Sequence, residues 1–442
     1  ATQHVPGAAR AGDDAFGVPA WLIDAAAGAA AAVLALSRPA DRVLSAFFRE
    51  HRALGQHDRG FVAETVYAIL RRKRLLEHLI EAPDARRFVL GALVLLRGVS
   101  IRELDRSLRG EEREWLSRLK RVDRSDLPLG VRCDFPDWAI ERLWPRFGEV
   151  GVPALCEALN RPAPLDLRAN LLKVDRDDLI AALAKTGVEG EPTPYAPSGI
   201  RLAGKPALAR HPLFLEGAFE VQDEGSQLLG YLVGPRRREM VVDFCAGAGG
   251  KSLALGALMR STGRVYAIDV SDRRLAELKP RLARSGLSNI HPQRIENERD
   301  PRVKRLAGKI DRVLVDAPCS GLGTVRRNPD LKWRQTPADV VRMAREQSSI
   351  LASAAYLPKP GGRLVYATCS LLPEENEDVV RAFLDAHPAF RLLDAGEVLQ
   401  DARIELPNAT DGERFLRLLP HVHGTDGFFA AVMERSGDTA RL

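Results

Sequence analysis

From Gln222 to the end of the chain, short apolar runs alternate with helical patterns, and this alternation limits the fold more than any other feature. The runs fall at 240–244, 265–269, 290–294, 312–315 and 363–368, then at 415–419 and 428–433. Strands separated by helices cannot be joined by tight hairpins and instead pair in parallel through crossovers. The expectation is an α/β domain, a doubly wound, Rossmann-like and mostly parallel sheet. In such a sheet the C-terminal ends of the strands face the ligand crevice.

Two of those strand ends carry unusual strings. Asp316-Ala317-Pro318-Cys319-Ser320-Gly321 follows the run at 312–315, and Ala367-Thr368-Cys369-Ser370 closes the run at 363–368. One cysteine after a strand is ordinary buried packing. Two such cysteines and a carboxylate are expected to project into one cleft.

The first strand leads into Cys245-Ala246-Gly247-Ala248-Gly249-Gly250-Lys251-Ser252, a glycine turn at a helix start. Glycines let backbone approach a ligand closely at a positive helix N-terminus. A P-loop needs its first glycine where Cys245 stands, and a dinucleotide loop needs its third where Ser252 stands. Both fail. Asp243 within the first strand and Asp269 at the end of the second remain, and a carboxylate at Asp269 can accept from ribose hydroxyls. S-adenosylmethionine is then the best nucleoside candidate, with Asp269 as a plain strand-end turn residue the rival reading.

The preceding chain is different. Residues 1–18 read as a flexible tail and 19–150 as helical, with Val43, Leu44, Phe47 and Phe48, then Phe61, Val62, Val66, Ile69 and Leu70 at helical spacing. The Ala-rich run 25–36 lacks the basic flank of a signal segment and is expected to be a helix. It is too short to span a bilayer. Arg71-Arg72-Lys73-Arg74 ends one of these helices, where the dipole favours positive charge; RNA contact is the other reading. Residues 151–220, with a strand at 165–170, a helix at 177–185 and many prolines, suggest a small α+β module. Residues 221–436 then form the sheet domain.

Net charge is +6, from 65 Lys/Arg against 59 Asp/Glu. Residues 42–146 hold 22 Lys/Arg against 16 Asp/Glu, so this segment carries the whole excess. A solvated helical surface explains that, and so does a polyanion-binding domain. The five cysteines show no metal-ligand spacing, which argues for a reducing, cytoplasmic setting without disulfides or metal. Nothing in the sequence demands more than a monomer, and no membrane partner is expected.

Methylation of carbon 5 of a pyrimidine calls for this inventory. That carbon becomes nucleophilic only after a thiolate adds to carbon 6. An acid must serve the ring at N3, and a base must afterwards remove the proton from carbon 5. Cys369, Asp316 and Cys319 supply one nucleophile, one acid and one base. Lys251 would favour the thiolate if its ammonium reaches the cleft.

At these residues the chain resembles the ribosomal RNA (cytosine-5) methyltransferases of the Sun/Fmu family. The resemblance rests on 316–321 continuing to Arg326-Arg327-Asn328-Pro329-Asp330-Leu331-Lys332-Trp333, and on 364–376, which ends Pro373-Glu374-Glu375-Asn376. Asp426-Gly427-Phe428-Phe429-Ala430 and 221–227 add to it. It implies an S-adenosylmethionine-dependent enzyme acting on RNA, 16S ribosomal RNA foremost. It also implies that the helical segment is similar to the NusB fold, an RNA-binding appendage. Cys369 corresponds to the covalent nucleophile, Cys319 to the residue for product release and Asp316 to the acid beside base and cofactor. Residues 245–251 with Asp269 correspond to the cofactor loop and ribose acid.

Two positions depart from the family pattern. Gly247-Ala248 replaces Ala-Pro in the loop, which frees its backbone, and Asn297 stands where the family has an acid near the adenine, which implies weaker cofactor affinity rather than none. The rivals are a DNA cytosine-5 methyltransferase, which would not need Thr368-Cys369, and a non-catalytic RNA-binding or assembly factor with a decayed cofactor site. Transfer RNA is the alternative substrate.

Overall fold

The computed structural model describes residues 17–410 and 412–437, and the chain divides into two compact units. The first holds the residues through Asp137 together with Asn328–Arg334. Its core gathers the apolar faces of helices Ala20–Leu34, Gln56–Arg71 and Ala85–Leu95. Ile23, Ala26, Ala30, Val62, Val66, Ile69 and Leu90 are fully enclosed, as their helical spacing predicts. The expected helix at 25–36 is present as Ala20–Leu34. Among the described residues no helix is long and apolar enough to cross a membrane.

The cationic cluster is used inside this unit. Arg72 pairs with Asp134, Lys73 with Glu77 (2.5 Å) and Arg74 with Asp137 (2.7 Å), while Arg71 lies over the Tyr67 ring. These partners favour the structural reading over RNA contact. The segment Asn328–Arg334 also joins this core. Asp330 accepts from the Ala40 N–H (3.2 Å), the Lys332 ammonium donates to the Arg71 carbonyl (2.9 Å) and the Trp333 indole donates to the Leu70 carbonyl (2.7 Å).

The second unit holds Trp138–Arg327 and the residues from Gln335 onward. The division thus falls at 137/138, not near 150, where the helix Asp137–Asn160 continues through a kink at Gly148 (φ 61°). Four strands form the small module: β1 (Asp166–Ala169), β2 (Gly190–Pro192), β3 (Gly199–Leu202) and β4 (Phe219–Val221), antiparallel in the order β2-β3-β1-β4. Helix Arg176–Ala184 packs Leu179 and Leu183 against Leu167, Ile200 and Phe219.

The large sheet has eight strands: β5 (Met240–Asp243), β6 (Arg264–Asp269), β7 (Ile290–Arg294), β8 (Ile310–Asp316), β9 (Pro358–Thr368), β10 (Phe390–Leu393), β11 (Leu416–Leu418) and β12 (Phe428–Arg435). The order is β10-β12-β9-β8-β5-β6-β7, with β11 paired to β12. Strands β7, β6, β5, β8 and β9 are parallel, and the last three pair antiparallel. The expected mostly parallel sheet is therefore present, and so is each expected strand. Strand β10 was not expected, because its four residues pair only with β12 and lie at an edge. From the central β5 the chain winds first towards β6 and β7, then crosses to β8 and β9. The crevice opens at that reversal, outside the ends of β5 and β8.

Candidate active site

Strands β8 and β9 are neighbours, with Asp316 opposite Ala367, so the chain leaving each enters the same space. There the sulfurs of Cys319 and Cys369 lie 3.4 Å apart, both half-buried. The hydrogen bond to Cys369, burial and the charges of Cys369 and Glu375 together push the Cys319 thiol well above the ordinary range for a cysteine. All five cysteines are free, and among the described residues no cluster of three His, Cys, Asp or Glu could hold a metal ion.

Asp316 meets Lys251 across the strand ends, Nζ to Oδ2, at 2.6 Å. Burial would lower the Lys251 pKa, but the Asp316 charge and hydrogen bond outweigh it, and Asp243 and Cys369 add to the field, so the net shift is upward. The proton of this pair therefore rests on lysine. Asp316 thus stands at the end of β8 with its side chain bonded to the Lys251 ammonium.

The loop after β5 turns through Gly247 (φ 57°) and Gly249 (φ 78°) into helix Gly250–Leu258. Both glycines are required by space as well as by backbone angle. A Cβ on Gly249 would stand 2.2 Å from Leu278, and one on Gly247 would stand 2.4 Å from the Arg274 guanidinium. Asp269 holds this turn by accepting from the Gly247 N–H (2.7 Å) and the Ser271 N–H (2.8 Å). Its turn-forming role is thus present. Arg281 donates to the Ala248 carbonyl at 2.7 Å, and Arg168 to the Gly250 carbonyl at 2.7 Å.

A cavity of about 250 Å³ opens at this loop, lined by Asp243, Cys245, Ala246, Ala248, Gly250, Lys251, Arg274, Arg281 and Asp316 among others. Asp243 is buried, accepts from the Ser252 hydroxyl (2.7 Å), and is pushed up to about 6 chiefly by burial. Its other oxygen has no hydrogen-bond partner among the described residues. A buried acceptor of this kind calls for a donor on a ligand. With carboxylates, cations and a helix N-terminus converging, the lining suits a zwitterionic, cationic nucleoside such as S-adenosylmethionine.

Of the residues expected here, Cys245, Ala246, Ala248, Gly250, Lys251 and Asp316 line the cavity, and Gly247, Gly249 and Asp269 shape it. Asn297 is not brought in. Its side-chain oxygen accepts from the Arg299 N–H at 2.9 Å in its own turn, and the residue is exposed. The sequence reading also gave no role to Glu375, Ser320, Ser370 and Gln347, which lie behind the thiols. A charged side chain following a strand-end cysteine by six residues, within 364–376, was the available signal.

Comparison with known proteins matches these features. The family model described as 16S rRNA methyltransferase RsmB/F matches residues 230–434. A second, the ferredoxin-like domain of RsmF/B-like methyltransferases, matches residues 135–209. The chain is 35% identical over 427 residues to the "Probable ribosomal RNA small subunit methyltransferase B" of Synechocystis, covering 87% of this chain and 94% of the relative. Among solved structures, PH0851 superposes with a TM-score of 0.77 at 27% identity, over 95% of this chain and 100% of that one. NSun6 from Pyrococcus horikoshii, solved with SFG, shares the fold at 23% identity (TM-score 0.61, 69% of this chain and 99% of that one).

Proposed function

Because the chain belongs to the RsmB/F family of 16S rRNA methyltransferases, we propose that it methylates carbon 5 of a cytosine in 16S ribosomal RNA through a covalent bond from Cys369 to carbon 6. It is an S-adenosylmethionine-dependent RNA (cytosine-5) methyltransferase, and the cofactor supplies a methyl group made electrophilic by a positive sulfur. One observation supports the reading above all: two thiols 3.4 Å apart at adjacent strand ends, beside the Lys251–Asp316 pair.

The proton shared between the sulfurs belongs on Cys319, whose thiol form is favoured by the hydrogen bond to Cys369 and by burial, and then by the charges of Cys369 and Glu375. That leaves Cys369 as the sulfur that adds to carbon 6. The Asp316 carboxylate accepts from the cytosine amino group, and Lys251 provides the proton near N3. Once Cys369 is bonded to carbon, its charge no longer opposes ionisation of Cys319. Cys319 gives its proton to solvent and, now a thiolate, takes the proton from carbon 5; the carbon 5–carbon 6 double bond re-forms, and Cys369 leaves as thiolate. The target cytosine must leave its stack to reach these groups. In the helical unit, exposed arginines such as Arg52, Arg121 and Arg124 serve phosphate contacts, since the 71–74 cluster is already paired.

The test is transfer of tritium from labelled S-adenosylmethionine to unmodified 16S RNA and, in parallel, to unmodified transfer RNA. Labelled 5-methylcytidine from 16S RNA is the expected product. Label confined to transfer RNA would move the substrate. No label on either, with cofactor bound, would sink the reading for free RNA.

A further inference from the structure

Behind the two thiols lies a side chain to which the chemistry above gives no task. Glu375 is fully buried, and every hydrogen bond to its carboxylate comes from a donor. Its Oε1 accepts from the Ser320 N–H at 2.7 Å and from the Gln347 amide at 3.2 Å. Its Oε2 accepts from the Ser320 hydroxyl at 2.6 Å and from the Ser370 hydroxyl. A carboxylate is an acceptor only, so this set of donors matches its charged form. Ser320 and Ser370 directly follow Cys319 and Cys369. One carboxylate therefore holds both thiol-bearing turns. The same Gln347 amide reaches the Pro318 carbonyl at 2.8 Å, and the Tyr366 hydroxyl donates to the Glu375 carbonyl at 2.6 Å. The next residue, Asn376, accepts from the Thr368 hydroxyl at 2.5 Å and donates to the Ser370 carbonyl at 2.9 Å.

We propose that Glu375 is a positioning residue that holds Cys319 and Cys369 in register and decides which of the two sulfurs carries negative charge. The proposal rests on the reading of Cys369 as nucleophile and extends it. Two identical functional groups in van der Waals contact have no intrinsic reason to divide their labour; an asymmetric environment must do it. The charged groups facing the pair supply that asymmetry. Cys319 faces Glu375 and Tyr366, whereas Cys369 has the Lys251 ammonium in its field. Negative charge on Glu375 opposes a thiolate at Cys319. The Cys319 thiol is pushed up first by the hydrogen bond to Cys369 and by burial, and the charges of Cys369 and Glu375 add to these. Fixing both turns to one rigid acceptor also keeps the sulfurs at a separation where one proton serves both.

The experiment alkylates the full-length protein with iodoacetamide from about pH 6 to about pH 10 and measures each cysteine by peptide mass spectrometry. Wild type, Glu375→Gln and Ser370→Ala are compared, with melting curves to establish folding and with kcat and KM for RNA. In wild type, Cys369 should react at lower pH than Cys319. In Glu375→Gln the onset for Cys319 should move to lower pH, and kcat should fall roughly 10- to 100-fold with cofactor affinity unchanged. Ser370→Ala keeps the charge but releases one turn. It should lower kcat while leaving the Cys319 onset in place, and it decides the matter should Glu375→Gln fail to fold. A folded Glu375→Gln protein with the wild-type order of reactivity and wild-type kcat would overturn the proposal, as would an unaltered kcat in Ser370→Ala. If the alkylation order holds while Cys319→Ala traps no RNA adduct through Cys369, the nucleophile assignment fails and the role of Glu375 stands.

Discussion

The Cys319 and Cys369 sulfurs lie 3.4 Å apart, although 50 residues separate them in sequence. Their approach follows from strand order: β8 and β9 are parallel neighbours, so their ends deliver both residues to one point. Each thiol can then serve a different half of one reaction.

Cys369→Ala should abolish methyl transfer, since it removes the sulfur proposed to add to carbon 6. Cys319→Ala should form the bond to carbon 6 but fail to release it, leaving RNA attached to protein after denaturation. A denaturing gel with labelled RNA reads both outcomes. Normal turnover by Cys319→Ala would remove its assigned role.

Lys251→Met should reduce kcat by about 100-fold or more, the usual scale for losing a positioned proton donor. It leaves Asp316 without its 2.6 Å partner. Cofactor binding measured by calorimetry separates this effect from a failure to load the site. An unchanged kcat would mean that N3 is served by another group.

Asp243 links stability to pH. Its folded value is about 6 against an ordinary value of 3.8, with burial the main cause. Between about pH 4 and pH 6 the native state therefore binds more protons than the unfolded chain, so stability falls as pH rises through that window. The cost, roughly 3 kcal/mol, is complete above pH 6. Asp243→Asn should flatten that slope, so its melting temperature should gain on wild type as pH rises from about 4 to about 6, as scanning calorimetry would show. Parallel curves for the two proteins would contradict the assignment.

Gly249→Ala should weaken cofactor binding and lower the melting temperature. An L-residue at φ 78° costs about 1–2 kcal/mol, and the added Cβ meets Leu278 at 2.2 Å. Calorimetric titration with S-adenosylmethionine tests this. Unchanged affinity would show that the turn is not part of the binding loop.

Trp333→Ala should destabilise the helical unit by about 2–3 kcal/mol, through lost packing and an unpaired Leu70 carbonyl. Urea titration followed by helical circular dichroism would measure it. No change in the helical transition would mean that Asn328–Arg334 does not stabilise that unit.

The sequence by itself determined the order of elements, the glycine turn and the two cysteine strings, because each is a local pattern written over a few residues. Helical spacing at Val62, Val66 and Ile69 and the apolar runs at 240–244 and 312–315 needed no distant partner to be read. Only the tertiary structure decided what those residues meet. Arg72 finds its carboxylate at Asp134, a partner far along the chain, and so the basic cluster is neutralised within its unit. Asp316 finds the ammonium of Lys251, while Asn297 bonds within its own turn. Residues 328–334 leave one unit's sequence to join the other's core. Charge pairing and burial depend on contacts between residues distant in sequence, and these set the ionisation of each group more strongly than its neighbours along the chain do.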